Sequence, residues 1–345
     1  MAVENTVAGD DAVHTVDGIL LDPDDDRIHD RPQGVDRWAE NIQWNVRDQA
    51  GLGVMWHMGT MLDDPRLWHV VVAVTLPDGQ VYSTKTVAPG TGHFGPPNAE
   101  LSVVDPYRTW AFRYHGGMVD VTGHQGATGL VTDEHHIPVE IALELSAAYP
   151  VWIPEGSTDF GDWGRFHHEQ TVEVSGTVTI SGTEHRLAGV GHRDHSIGPR
   201  DMSKVRRAFW GNGVFESGWA FATMLGEYTT AEFQRAAVFD RDGSRPATMV
   251  RWSNLDSADG EPLLVTLELD IEGTTKTIEG RIRNGMTFTV VDGAEFAMGT
   301  DLRNPDRYML TNLFIDWTCD GETGIGYLDR GALIQLLSED SNDAD

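Results

Sequence analysis

The sequence is poor in cysteine and in long apolar runs, and each scarcity excludes a class of structure. Cys319 is the only cysteine among 345 residues, so no intrachain disulfide forms, and a single thiol fits a reducing compartment. No apolar run approaches the roughly 18 residues of a transmembrane helix. The acidic first eleven residues lack the basic and apolar regions of a signal peptide. We therefore expect a cytoplasmic protein without a membrane span.

Basic residues are also scarce. Lysine and arginine total 25 against 54 acidic residues, which gives a formal net charge of -29. A surface of this charge repels nucleic acid and anionic lipid. We expect neither as a partner, and a homodimer is compatible with the sequence.

Several catalytic motifs are missing. The sequence contains no G-x-S-x-G, no P-loop, no H-E-x-x-H and no cysteine pair for a structural zinc. The glycines of 189–191 begin a dinucleotide fingerprint, but Asp194 stands where its third glycine belongs. These absences predict a protein without a cofactor.

The fourteen histidines raise the question of a metal site. The adjacent pairs at 135–136 and 167–168 point to opposite faces of a strand and cannot chelate one ion there. His192 and His195 also lie on opposite faces, although in a turn they could converge. We predict no metal site.

What the sequence has is alternation of polar and apolar residues with a period of two. Residues 69–76 and 80–87 predict a hairpin, and residues 171–180 predict a second hairpin with 184–190. Convincing helical periodicity is scarce. Many short strands indicate an all-β chain of antiparallel barrels or sandwiches. The further predicted strands are 109–114, 118–122, 137–146, 209–225, 232–239, 249–252, 263–271, 274–283, 287–291, 308–317 and 324–328.

The predicted strands suggest two β domains, at 36–165 and 166–337. We place the joint in the loop 150–168, which is rich in glycine, proline and aromatic residues. Residues 1–35 form an irregular acidic lead-in and 338–345 an acidic, disordered tail. Within the lead-in, residues 22–30 resemble a calcium loop but lack its sixth-position glycine and its twelfth-position glutamate. We expect that segment to be solvated.

The best candidate for a site is the stretch 189–201, which holds two histidines, two arginines, two aspartates, three glycines and a proline. Burying these groups is costly unless they are paired. On a strand, His192 and Asp194 share one face, and Arg193 and His195 share the other. Only one of these pairs can line a barrel, and alternation does not say which.

Two interpretations of this cluster remain open. An acid at the rim of an apolar cavity can stay protonated near neutral pH, because burial raises the pKa of a carboxyl group. Asp194 would then serve as a proton donor. Alternatively, Arg193, Arg200 and Asp201 form a network that fixes the end of the strand.

Aromatic residues follow the cluster closely, and the chain has eleven tryptophans. Trp210, Trp219, Phe221 and Tyr228 could line a pocket in which aromatic rings stabilise a positive charge. They could equally be barrel core. Glu169 precedes a strand predicted to pair toward the cluster, so it could reach the same cavity or lie solvated at the strand edge.

These segments carry a resemblance. Glu169-Gln170, residues 176–180 and residues 191–201 resemble bacterial proteins with a G-x-x-R-D-H-S-W-G-x-R-D signature. Such proteins look like distant relatives of the carotenoid 1,2-hydratase (hydroxyneurosporene synthase) and AttH-like superfamily. Residues 319–327 resemble the last strand of that family. The resemblance implies two lipocalin-like β-barrel domains. Ile197 stands where relatives carry tryptophan.

The resemblance implies acid-catalysed hydratase, dehydratase or cyclase chemistry on a small hydrophobic, terpenoid-like alkene or tertiary alcohol. A lipocalin-type carrier that binds a hydrophobic ligand without altering it is the alternative. Asp194 would donate the proton, His195 would be its partner, and Arg193 or Arg200 would tune the pair. The full set of predicted catalytic residues is Asp194, His195, Arg193 and His192. The predicted substrate contacts are Glu169, Ile197, Arg200, Trp210, Trp219, Phe221 and Tyr228.

Overall fold

A computed structural model describes residues 15–16, 19–125, 128–154, 166–229, 232–241, 243–256, 262–291 and 296–336. It is 68% strand and 3% helix, which confirms the all-β prediction. Among these residues no helix has the length and hydropathy needed to cross a membrane. The predicted tail 338–345 lies outside the described residues, as does 155–165 of the predicted joint.

The first large sheet follows a two-stranded ribbon and a single 3-10 turn. Its strands run in the order β6-β5-β4-β3-β11-β10-β9-β8-β7, all antiparallel, and two residue pairs also join β6 to β8. The elements are β1 (Thr15–Val16), β2 (Ile19–Leu20), the turn Pro23–Asp26, β3 (Trp38–Arg47), β4 (Gly53–Thr60), β5 (Leu67–Thr75), β6 (Val81–Pro89), β7 (Ala99–Asp105), β8 (Thr109–Asp120), β9 (Ile137–Ala147), β10 (Phe166–Ile180) and β11 (Thr183–Pro199).

The second large sheet is built from the following strands in the order β16-β15-β14-β13-β12-β20-β19-β17-β18. The long strand β17 pairs with both β19 and β16, which closes eight antiparallel strands into a barrel. The strands are β12 (Val205–Phe215), β13 (Ala220–Tyr228), β14 (Glu232–Asp240), β15 (Gly243–Asp256), β16 (Pro262–Ile271), β17 (Thr274–Val290), β18 (Phe296–Met298), β19 (Tyr308–Cys319) and β20 (Glu322–Leu333).

The chain changes from one sheet to the other between Pro199 and Val205. Strand β10 pairs with β11 along its whole length, and it also pairs with β9 of the first sheet. The strand that begins at the predicted division, at residue 166, therefore belongs to the first sheet, and the division into domains stays a prediction. The candidate cluster is the last strand of the first sheet rather than part of the second.

Most predicted strands are present, with three kinds of difference. The hairpins β5–β6 and β10–β11 are confirmed. The predicted strands 109–114 and 118–122 are one strand, β8, whereas the predicted strand 209–225 is two, β12 and β13. Six strands had not been predicted, namely β1, β2, β3, β4, β7 and β18.

The described residues form four clusters of buried hydrophobic side chains, and the three largest hold the two sheets. One fills the first barrel, one fills the second, and one lies between them. In the first barrel Trp56 stacks on Phe112, with ring centroids 4.0 Å apart. Each fully buried large side chain contributes about 1.5–3 kcal/mol through the hydrophobic effect.

Strand β3 shows how the site arises between the sheets. Ile42 and Trp44 point into the first barrel, so alternation sends Asn41, Gln43 and Asn45 outward. These three polar side chains are nevertheless buried, because the second sheet covers this outer face. Buried polar groups need hydrogen-bond partners. These three side chains therefore form a polar surface between the two sheets.

The acidic lead-in is less solvated than predicted. Asp22 caps the 3-10 turn by accepting the amide of Asp24 at 3.0 Å. Asp26 is buried, and its Oδ2 accepts the Tyr107 amide at 2.7 Å and the Trp110 indole N–H at 3.0 Å. The prediction of a solvated segment is wrong for Asp26, because these donors replace its water.

Candidate active site

Strand β11 separates the predicted cluster onto two faces. Its pairing with β3 runs without a register shift from Val190 to Pro199, so alternation holds throughout. Arg193 and His195 point into the first barrel, while His192 and Asp194 face the second sheet. The structure therefore does not bring Asp194 and His195 together as one site, because no bulge turns either side chain.

Inside the first barrel, Arg193 is fixed by ionic and aromatic contacts. It pairs with Asp26, donates to Gln170 Oε1 at 3.0 Å, and lies 4.2 Å from the Trp110 ring centroid. Although burial opposes the charged form, Arg193 and His168 hold the pKa of Asp26 below its usual range. These contacts hold Arg193 in the interior of the first barrel.

His195 belongs to a neighbouring network. Its Nε2 lies 2.8 Å from Glu40 Oε1, and His29 Nδ1 lies 3.1 Å from the same oxygen. Burial opposes the charge on Glu40, but hydrogen bonds from His195 and His29 lower its pKa. His195 with His29 and Glu40, and likewise with Asp26 and His168, offers ligand atoms within 4.8 Å of one another. The predicted absence of a metal therefore stays a prediction.

On the opposite face of β11, His192 joins a chain of buried hydrogen bonds. Its Nε2 lies 2.8 Å from Glu169 Oε2 and its Nδ1 lies 3.0 Å from Thr171 Oγ1. Glu169 Oε1 lies 2.9 Å from His167 Nε2. Despite burial, the hydrogen bonds from His167 and His192 lower the pKa of Glu169 to about 2. Glu169 is thus a carboxylate that holds His167 by a hydrogen bond.

His167 opens onto a cavity of about 120 Å³ between the two sheets. Apolar side chains form most of its wall, and a few polar groups converge on it, which is the usual composition of a ligand site. The lining residues are Ala39, Asn41, Gln43, His57, Leu62, His69, His167, Asp194, Ser196, Arg200, Ala208, Phe209, Trp210, Met224, Leu225, Phe233, Val290, Phe296, Leu310 and Asp329.

Two carboxyl groups, one from each sheet, line this cavity and share Gln43 as a hydrogen-bond partner. Gln43 donates its backbone N–H to Asp194 Oδ1 at 2.9 Å and its side-chain amide to Asp329 Oδ2 at 3.3 Å and Tyr327 Oη at 2.8 Å. Burial raises the pKa of Asp194 to about 6. Burial and the nearby Asp194 carboxylate raise the pKa of Asp329 to about 7. A proton is therefore available here at neutral pH.

A second group of polar side chains includes Arg200 and two histidines. His69 is only 2% exposed, and neither of its ring nitrogens has a hydrogen-bond partner among the described residues. Burial, aided by the charge of Arg200, lowers the pKa of His57 to about 3 and that of His69 well below its usual value. Burial also lowers the pKa of Arg200 to about 10. The imidazoles are neutral, and the guanidinium is charged.

Only some predicted aromatic contacts reach the cavity. Trp210 lines it. Trp219 instead stacks on Phe215 at 4.1 Å, beside the turn between β12 and β13. Phe221 packs inside the second barrel against Trp317 at 5.4 Å. Trp219 lies away from the cavity because residues 209–225 form two strands with a turn between them. Phe221 lies away from it because its side chain packs in the core of the second barrel.

The remaining predicted contacts lie near the cavity or away from it. Tyr228 packs against Phe233, a lining residue, with ring centroids 5.9 Å apart. Ile197 is buried on the same face of β11 as Arg193 and His195. This face points away from the cavity. Of the predicted site residues, the lining thus includes Asp194, Arg200 and Trp210.

The cavity lining also includes polar residues that had not been predicted from the sequence, among them Gln43, His57, His69, His167 and Asp329. One signal was present in β3, where Asn41, Gln43 and Asn45 alternate with Ile42, Trp44 and Val46. Asp329 carried a weaker signal, since it lies two residues beyond the segment 319–327 that resembles the family's last strand.

A family model matches residues 22–331, which is most of the chain. The protein belongs to the DUF7064 family, described as a domain of unknown function. No curated protein matches it. Membership in this family therefore does not assign an activity to the protein.

Solved structures share its fold at low sequence identity. An AttH-type protein of Nitrosomonas europaea is 14% identical over 92% of this chain and 98% of its own, with a TM-score of 0.60. CghA in complex with Sch210972 is 13% identical over 86% and 88%, with a TM-score of 0.56. Kievitone hydratase from Nectria haematococca is 10% identical over 85% and 88%, with a TM-score of 0.49. The first two confirm the AttH-like, lipocalin-type fold and show nothing beyond the fold.

Proposed function

We propose that this DUF7064 protein is a cofactor-independent enzyme that protonates a small hydrophobic substrate. The reaction would hydrate an alkene, dehydrate a tertiary alcohol, or cyclise or isomerise a related compound. The observation that carries the proposal is the pair Asp194 and Asp329, whose raised pKa values keep a proton in a mainly apolar cavity. An acid with a pKa near the working pH is an effective proton donor.

Asp329 is the donor in this scheme, because its pKa is the higher of the two. The π electrons of the alkene form a C–H bond to the proton from the Asp329 carboxyl group, leaving a carboxylate and a carbocation. The oxygen of a water molecule then bonds to the cation, and its released proton returns to Asp329. In this scheme Asp194, rather than His195, is the partner of the proton donor.

The rest of the cavity suits this chemistry. The face of Trp210 and the newly formed carboxylate would stabilise the cation, with an aromatic ring worth on the order of 0.5–2 kcal/mol. A volume of about 120 Å³ favours a compact substrate. CghA, which shares the fold, was solved with the small molecule Sch210972, which supports ligand binding by proteins of this architecture.

The proposal can be tested with compact terpenoid alkenes and alcohols in water enriched in ¹⁸O, followed by mass spectrometry. We expect the wild-type protein to change a substrate by the mass of one water or to isomerise it. Asp329→Asn should lower turnover by about 10²–10⁴-fold, the contribution of a general acid. Trp219→Phe, away from the cavity, is the matched control. Recovery of a bound but unaltered ligand would favour the carrier alternative.

A further inference from the structure

The acid chemistry leaves part of the cavity without a role. Arg200, His69, His57 and Asn41 all line this part. Arg200 Nε, Asn41 Nδ2, Trp210 Nε1 and both ring nitrogens of His69 are buried and lack a hydrogen-bond partner within the described part of the chain. These unpaired atoms are mostly donors. Buried polar groups are normally paired, so a concentration of unpaired ones indicates a missing partner.

The charge of Arg200 identifies the kind of partner. Its Nη2 donates to Ser196 Oγ, but no carboxylate oxygen of the described residues lies within 4.0 Å of the guanidinium. Asp194 is the carboxyl group that acts on Arg200 electrostatically, and it already accepts the Gln43 amide. A partly buried guanidinium without an ion pair is unfavourable, and an anionic oxygen group would compensate its charge.

The shape of the first barrel brings the donors together. Gly59 pairs with Asn41 across β3–β4 and with His69 across β4–β5. A Cβ atom at Gly59 would clash with Asn41 Oδ1 and would lie 2.5 Å from His69 Cε1. Glycine at this position therefore allows the two polar side chains to approach each other.

We propose that the group formed by Arg200, His69 and Asn41 binds a carboxylate of the substrate. The inference rests on the proposed function in taking this cavity as the substrate site. A guanidinium pairs well with a carboxylate, whereas the double charge of a phosphate would be repelled by the neighbouring Asp194. The substrate class is then a compact unsaturated or hydroxylated carboxylic acid. Its carboxylate neutralises Arg200, so the guanidinium no longer opposes a cation forming beside Asp329.

Equilibrium binding tests this without any turnover. Isothermal titration calorimetry would compare cyclohexanecarboxylate with the neutral cyclohexylmethanol in buffer free of other carboxylates. We expect the wild-type protein to bind the acid at least about tenfold more tightly, equivalent to about 1.4 kcal/mol. Arg200→Gln should abolish this preference and leave the affinity for the alcohol unchanged. Arg200→Lys, which keeps the charge, should retain part of it.

Arg251→Gln is the charge-matched control, because Arg251 is exposed and pairs with Glu268 on the second sheet. It should behave like the wild-type protein. Equal affinity of the wild-type protein for both probes, or no binding of the acid, would overturn the inference, even if Arg200→Gln failed to fold. Loss of turnover in Asp329→Asn with no acid preference would leave the proposed function standing and remove only the carboxylate site.

Discussion

Gln43 and Asp329 join the two sheets at the candidate active site, with Gln43 Nε2 lying 3.3 Å from Asp329 Oδ2. The same glutamine contacts Tyr327 through its side chain and Asp194 through its backbone. One residue of β3 thereby positions two carboxyl groups that come from β11 and β20. Packing of the sheets, rather than either sheet alone, sets the geometry of the acid pair.

Asp329 makes the stability of the protein depend on pH. Its pKa rises from 3.8 to about 7 on folding, so the folded state binds the proton more tightly than the unfolded state does. The contribution of Asp329 to the free energy of unfolding is therefore fully present below about pH 4 and is lost as the pH rises toward 7. Asparagine has no titratable proton, so the Asp329→Asn variant does not lose this contribution to the free energy of unfolding as the pH rises. We expect the variant to gain stability relative to the wild-type protein between pH 4 and pH 7.

Urea unfolding at several pH values measures this difference. Because the carboxyl group faces a cavity, the gain at pH 7 should be modest, about 1–2 kcal/mol. Asp120→Asn, at the exposed end of β8, is a control for the Asp-to-Asn substitution itself. A difference between Asp329→Asn and the wild-type protein that stayed constant with pH would contradict the raised pKa.

Asp194 and His195 should behave differently although they are adjacent in sequence. Asp194→Asn changes the acid pair, so we expect turnover to fall by about 10²-fold or more with the fold retained. His195→Ala removes a hydrogen bond to buried Glu40 and should cost about 1–3 kcal/mol of stability. Steady-state kinetics on folded protein would separate the two effects. Equal loss of turnover in both variants would restore the joint site predicted from the sequence.

Arg193 should be essential for the fold and dispensable for chemistry. Arg193→Met leaves Asp26 charged and buried without its guanidinium partner, which should cost about 3–5 kcal/mol. Adding Asp26→Asn removes the uncompensated charge, so the double variant should recover part of the loss. Thermal and urea unfolding of the two single variants and the double variant would measure the coupling. Independent, additive effects would show that the pair contributes nothing as a pair.

Local pattern was enough to predict the fold class and the strand alternation of the cluster. The hairpins at 69–87 and 171–190 follow from turn residues between alternating segments. The alternation of β11 correctly separated His192 and Asp194 from Arg193 and His195. These features depend on neighbours in the sequence, which a single chain displays directly.

The composition of the site could not be predicted because it depends on contacts between distant strands. Gln43 and Tyr327 are 284 positions apart, and no local pattern relates them. From the sequence, Asp26 was expected to be solvated like its acidic neighbours. Its burial depends on hydrogen-bond donors from Tyr107, in the turn before β8, and from Trp110, in β8. The burial that raises the pKa of Asp329 likewise depends on the first sheet covering β20.

Gly59 should control the positions of the Asn41 and His69 side chains in the cavity wall. Gly59→Ala places a methyl group against Asn41 and His69, so at least one of these side chains must move. We expect the affinity for cyclohexanecarboxylate to fall by about tenfold, which corresponds to about 1.4 kcal/mol. Overpacking should also reduce stability by about 1–3 kcal/mol. Calorimetric titration and thermal unfolding of the same preparation would measure both effects.

The matched control for Gly59→Ala is Gly243→Ala, because a Cβ atom at Gly243 would meet nothing within 4 Å. That variant should keep the affinity and the stability of the wild-type protein. If Gly59→Ala instead bound the carboxylate as tightly as the wild-type protein, the close approach of Asn41 and His69 would be irrelevant to binding. Arg200 would then hold the carboxylate without help from Asn41 and His69.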